Sequence, residues 1–201
     1  VPSLPGLQGQ KAYVLLDSLS PPGNNNGGPR ATWADALREN SALKTYHIAP
    51  DPRDLPRAVE KARLLTGSGA SVILLPGLNS PEQGGPAAFK KDLDGLLRIL
   101  SANRSRLIVM FELPVWPNNS GYLRAQRELA ARHRVALVPR RVLATLTRTP
   151  GNVGPDGFLT ERGASAMASF VLSMATGQMD KTTNGDADKN RADTSKENGR
   201  Q

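Results

Sequence analysis

Three short polar stretches hold the residues whose types suit chemistry. Asp17-Ser18-Leu19-Ser20 closes one apolar run, Gly77-Leu78-Asn79-Ser80 closes another, and Glu112 follows a third. A serine hydroxyl attacks a carbonyl carbon only when a neighbouring group removes its proton. Glu112 is one candidate base, because a partly buried carboxylate can have a raised pKa. His47, in Tyr46-His47-Ile48-Ala49-Pro50, is the other. The second of the 2 histidines, His133, ends a helix and falls at the opposite sheet edge. Each residue also has a plainer reading. Serine at a strand end often satisfies a turn. Glu112 would shape the loop that follows it, His47 would be an ordinary strand-end residue, and Asp156 in Pro155-Asp156-Gly157 makes a good turn and helix lead-in.

The elements that must position these residues follow from the hydrophobic pattern. Ala12–Leu16, Lys44–Ala49, Ser71–Leu75, Arg106–Phe111 and Val135–Val138 read as strands. Helices are expected from Thr32, from Asp54 to Leu65, over Ala87–Leu100, over Tyr122–His133 and over Thr160–Met174. Thr32 caps the first of these, with Asp35 near its positive end. Phe89, Leu93, Leu96, Leu97 and Leu100 fall on one helical face, as do Met167, Phe170, Val171 and Met174. Strands one, three and four are apolar throughout, the mark of strands covered by helices on both sides. The expected fold is therefore flavodoxin-like: three α/β/α layers around a five-stranded parallel sheet in the order 2-1-3-4-5. In such a sheet ligands bind beyond the carboxyl ends of the strands, where strand order reverses, between strands one and three. The polar stretches at Ser18 and Asn79 meet there, and Glu112 lies at the same edge.

At this point the residues carry a family resemblance. Leu16-Asp17-Ser18-Leu19-Ser20 resembles the GDSL nucleophile block of the SGNH hydrolases. Gly77-Leu78-Asn79-Ser80 is similar to their Gly-x-Asn-Asp block. Pro155-Asp156-Gly157-Phe158-Leu159-Thr160-Glu161-Arg162-Gly163 is similar to the Asp-x-x-His block before their last helix. The three occur in order across the whole domain. The resemblance implies serine-dependent hydrolysis or transfer of an ester-linked acyl group without a cofactor or metal. Ser18 would be the acylated nucleophile. Its backbone N–H and the Asn79 side chain would donate to the oxyanion, and Asp156 would orient a histidine. Gly77 would belong to the binding block. Departures from the family pattern are plain. Leu16 replaces the glycine before Asp17, Ser80 replaces the Asp of the third block, and no glycine follows strand two. The histidine is absent: aligning on Asp156 puts Leu159 in its place, and aligning on Leu159-Thr160 puts Phe158 there. The implied function is an SGNH-like esterase with a rebuilt base. The alternative is an inactive relative whose crevice binds an acylated or glycan ligand, or a partner protein.

Composition bounds the rest. With 38% hydrophobic and 4% aromatic residues over 201, the core must be aliphatic. The absence of cysteine excludes disulfides, thiolate metal sites and cysteine nucleophiles. Net charge is +8, yet beyond Thr176 the bases Lys181, Lys189, Arg191, Lys196 and Arg200 cancel the acids Asp180, Asp186, Asp188, Asp193 and Glu197. The excess therefore sits on residues 11–176, with much of it between Arg124 and Arg148 (Arg132, Arg134, Arg140 and Arg141 included). That face suits an anionic surface, or is simply a solvated basic face. It lacks aromatics for base stacking, so nucleic acid is not an expected partner. The expected partner is a small-molecule ester or an acylated glycan. Residues 177–201 lack apolar periodicity and are expected to be a disordered polar tail. Residues 1–10 read as a linker left by a signal or anchor upstream of Val1, or by an arbitrary cut, so export or membrane anchoring stays open. Asn24–Gly28 lacks a phosphate-loop pattern and reads as a rim loop.

Overall fold

The computed structural model describes residues 11–20, 32–40, 44–47, 55–65, 69–77, 84–102, 107–113 and 120–176. The expected linker, tail and Asn24–Gly28 rim loop, together with Asn79 and Ser80, lie outside the described residues, as does Asp54. Five parallel strands, β1 (Lys11–Asp17), β2 (Lys44–His47), β3 (Ser71–Leu75), β4 (Ile108–Phe111) and β5 (Ala136–Val138), stand in the order β2-β1-β3-β4-β5. The helices are α1 (Trp33–Asn40), α2 (Leu55–Arg63), α3 (Gly85–Ala102), α4 (Ser120–His133), α5 (Arg140–Arg148) and α6 (Glu161–Thr176). Sheet order and strand direction agree with the flavodoxin-like expectation.

The two sheet faces bury separate cores, which is why the strands carry no polar alternation. Val14, Ile73, Leu75, Val109 and Phe111 pack with Trp33 and Leu37 of α1, Leu143 of α5, and Met167, Val171 and Met174 of α6. On the other face Leu15, Leu16, Leu74 and Met110 meet Leu55 of α2, the Phe89–Leu100 stripe of α3, and Leu129 of α4. The five residues of the α3 stripe are completely buried, and each such side chain contributes about 1.5–3 kcal/mol by leaving water. Thr32 and Asp35 cap α1 reciprocally. The Asp35 N–H donates to Thr32 Oγ1 at 3.2 Å, and the Thr32 N–H donates to Asp35 Oδ2 at 3.0 Å.

Two features went beyond the sequence pattern. β1 carries a bulge: Val14 pairs with Ile73 but Leu16 pairs with Leu74, so Leu15 is the extra residue. As a result Leu15 and Leu16 both face the α2–α3–α4 side. The bulge hides in a run of leucines because both faces are apolar, and it resets which way the following Asp17-Ser18 turn is aimed. The second is α5. Its Val142, Leu143 and Leu146 form only a narrow apolar stripe between arginines, so the segment reads as a basic cluster rather than a helix.

Candidate functional site

The Asp17-Ser18-Leu19-Ser20 turn is built by the Asp17 carboxylate. Buried at the end of β1, Asp17 Oδ1 accepts the N–H groups of Leu19 at 3.1 Å and Ser20 at 3.0 Å. The acidic residue of the nucleophile block thus closes the turn, as a short polar side chain does when it replaces a backbone acceptor. Ser18 is half-buried at the carboxyl edge of the sheet. Its backbone N–H donates to the Leu75 carbonyl of β3 at 3.0 Å. This corrects the expectation that the Ser18 N–H faces an oxyanion: that donor is already spent on the sheet. Gly77 is buried two residues past this contact.

The third block arrives beside the first. The Leu159 N–H donates to the Leu19 carbonyl at 2.9 Å, fastening residues 152–160 to the serine turn. Within that loop Val153 bridges Leu159, and the Gly154 N–H donates to the Phe158 carbonyl at 2.9 Å. The buried Asn152 anchors the loop, with Nδ2 donating to the Leu146 carbonyl at 2.9 Å. Thr160 caps α6 by accepting the Gly163 N–H on Oγ1 at 3.1 Å. Leu159 packs against the α1–α6 core, and both it and Phe158 are half-buried. Asp156 is exposed, and its Oδ1 accepts the Phe158 N–H at 3.2 Å within its own turn. This contact makes Asp156 a turn-former, the plainer of its two expected roles.

Of the two candidate bases, Glu112 is committed to other partners. Glu112 is buried, and the Arg127 Nε donates to its Oε1 at 2.6 Å while the Arg140 backbone N–H donates to its Oε2 at 2.9 Å. Burial pushes its pKa up, but the Arg127 hydrogen bond, the Arg140 N–H and both positive charges outweigh that, leaving it below the ordinary value. The expected raised pKa is therefore corrected. A desolvated carboxylate is charged when enough donors converge on it, and Arg127 and Arg140 gave no sequence signal as its partners. His47 pairs with Val14 in register, so its backbone lies level with a residue four short of Ser18. His133 Nε2 lies 2.7 Å from Asp94 Oδ1, pinning α4 to α3. That contact, with Arg98 and Arg132 nearby, lowers the Asp94 pKa against the opposing effect of its burial.

Gln126 is a further site-building residue that the sequence pattern concealed. It is fully buried on the apolar face of α4; its Nε2 donates to the Phe111 carbonyl at 3.0 Å and its Oε1 accepts the Leu113 N–H at 2.9 Å. Its amide fixes the chain on both sides of Glu112. The only signal would have been a polar residue at a core position of a helical period.

Replacing Glu112 by Gln tests this electrostatic frame. We expect a loss of about 1–2 kcal/mol at neutral pH, since the amide keeps an acceptor but loses the charge, and Arg127 is largely exposed. Because the folded pKa is depressed, the contribution is present above the ordinary glutamate value and disappears as pH falls through the folded one. Urea midpoints of the two proteins should stay apart from pH 8 to pH 5 and converge below about pH 4. A gap independent of pH would contradict the charge assignment.

No protein-family model and no curated protein matches the sequence. Solved structures do match it. TesA superposes with a TM-score of 0.65 at 17% identity, covering 85% of this chain and 100% of that one. The psychrotrophic esterase EstA from Pseudoalteromonas sp., in a structure inhibited by monoethylphosphonate, gives 0.65 at 14% identity over 84% of this chain and 97% of its own. AlinE4, an SGNH-hydrolase family esterase, gives 0.54 at 19% identity over 85% and 97%. At such identities the likeness speaks for backbone architecture, and it agrees with the three motifs found in order along the sequence. The chain has the fold of the SGNH and GDSL hydrolases.

Proposed function

We propose that this chain is a non-hydrolysing SGNH-fold domain whose crevice, at the ends of β1 and β3, binds an ester- or acyl-bearing ligand such as an acylated glycan. The observation that carries the reading is Leu159. Aligned on Asp156 it takes the place of the family's histidine (aligned on Leu159-Thr160, Phe158 does, and neither can accept a proton); its N–H is held by Leu19, and its partly buried side chain packs against the core. A leucine cannot accept the serine proton, and an unactivated hydroxyl is a poor nucleophile at neutral pH. Two further contacts support the reading: the Ser18 N–H is committed to Leu75, and Glu112 is committed to Arg127 and Arg140.

A fluorophosphonate probe followed by peptide mass spectrometry tests this directly. No adduct at Ser18 is expected in the folded protein, and an O-acetylated oligosaccharide should bind without being deacetylated. Serine-dependent hydrolysis or transfer of an ester-linked acyl group is the second reading. It is favoured by the half-buried Ser18 at the edge of a fold shared with esterases. Labelling of Ser18 that Ser18→Ala abolishes would replace the first reading with the second. Glu112→Gln and His47→Ala would then identify the base.

A further inference from the structure

A basic groove lies between the start of α4 and the start of α5, lined by Ser120, Leu123, Arg124, Arg127, Glu128 and Arg140, with a volume of about 770 Å³. A smaller hollow of about 260 Å³ continues it toward Lys90 and shares Arg124 and Glu128. We propose that this groove binds a phosphate-type oxyanion, independently of the Ser18 crevice.

The two carboxylates at the groove, Glu112 and Glu128, are outnumbered by the cations around them. Glu128 accepts Lys90 Nζ on both oxygens at 2.8 Å and Arg132 at 3.2 Å. Glu112 lies beneath the groove and takes only Nε of Arg127. A guanidinium has five N–H donors, so the terminal nitrogens of Arg127 retain theirs while the buried carboxylate fixes its plane. Among the described residues, no carboxylate forms an ion pair with Arg124 or Arg140. Glu112 also holds the Arg140 backbone, which sets where that side chain leaves the start of α5. One clamped guanidinium, a second arginine whose backbone is held by the same carboxylate and a third one turn away along α4 form a site built from below, unlike a random solvated face.

The geometry selects the ligand class. Three guanidinium groups suit a group with more than one negative charge and several acceptor oxygens, which a phosphate provides. Among the described residues that line the groove there is no aromatic side chain. The phosphate can belong to a soluble phosphorylated molecule or to a lipid headgroup.

Both sources are distinguished with the full chain. Inorganic phosphate and pyrophosphate are titrated into 15N-labelled protein against chloride at matched ionic strength, with amide shifts read at Ser120–Leu123 and Arg140. The expected result is saturable shifts at those amides with pyrophosphate. Affinity should fall at least tenfold in Arg124→Gln/Arg140→Gln, which leaves the Glu112–Arg127 contact intact. Chloride producing the same shifts, or a double variant that binds as well as the parent, would overturn the proposal. In parallel, the protein is sedimented with vesicles of phosphatidylglycerol or of phosphatidylcholine. Sedimentation with the former alone, lost in the double variant, assigns the phosphate to a lipid headgroup. Phosphate binding without sedimentation assigns it to a soluble ligand.

Discussion

Gly163→Ala lowers stability by about 3 kcal/mol, while Gly95→Ala raises it by up to about 1 kcal/mol; this pair of opposite signs is the expected result of two identical substitutions inside helices. Helix propensity alone predicts that both stabilise, because alanine loses less backbone entropy than glycine. At Gly95, in the middle of α3, an added Cβ meets nothing within 4 Å. At Gly163, in the first turn of α6, the same atom would overlap the Asn152 carbonyl oxygen and approach Leu159 Cδ2 to 3.0 Å. Relaxation is difficult because that carbonyl accepts the Thr160 N–H at 3.0 Å and the Asn152 side chain is tied to Leu146. Overpacking against a fixed backbone costs about 1–3 kcal/mol or more, and the loop it displaces carries Leu159 onto the serine turn. Thermal midpoints give a simple readout: for a domain of this size 3 kcal/mol is roughly 6–12 °C. A Gly163→Ala protein as stable as its parent would mean that residues 152–160 do not pack on α6 in this way.

How much of this was legible in the sequence depends on how local the determining physics is. Sheet order, the α3 stripe and the Thr32–Asp35 cap follow from periodicity and short-range hydrogen bonding, and each is where the pattern put it. The bulge at Leu15 was invisible because both faces of β1 are buried, so a shift of face changes no residue type. α5 was missed since only Val142, Leu143 and Leu146 mark its buried side. At the site, the resemblance to the family's blocks implied that the serine turn and the Asp156–Gly163 block are neighbours, and the Leu159–Leu19 hydrogen bond joins those two segments. The occupation of the Ser18 N–H by Leu75 could not be read, as it depends on where β3 ends relative to the bulged β1. The pKa of Glu112 was expected in the wrong direction for a similar reason. Burial is predictable from an apolar strand, but the donors that reverse its effect come from α4 and α5.

The serine turn offers the sharpest separation between scaffold and chemistry, through Asp17→Ala compared with Ser18→Ala. Asp17→Ala is expected to cost about 2–5 kcal/mol, because it leaves the buried N–H groups of Leu19 and Ser20 without their acceptor, at about 1–3 kcal/mol each. Asp17→Asn retains an oxygen at the Oδ1 position and should recover more than half of that loss. Ser18→Ala removes only a half-buried hydroxyl and should shift stability by less than about 0.5 kcal/mol. Leu19 sits in the core with Trp33, so a loosened turn propagates to α1 as well as to the Leu159 contact. Equilibrium urea unfolding of the three variants therefore orders them as Asp17→Ala, Asp17→Asn, then Ser18→Ala and parent. An Asp17→Ala protein as stable as Ser18→Ala would show that the aspartate is not what shapes the turn. With the expected order, the Asp-Ser-Leu-Ser turn has a physical cause that does not depend on catalysis. The acidic residue closes the end of β1 and aims the next residue at the sheet edge, and that requirement survives whether or not the hydroxyl ever attacks a carbonyl.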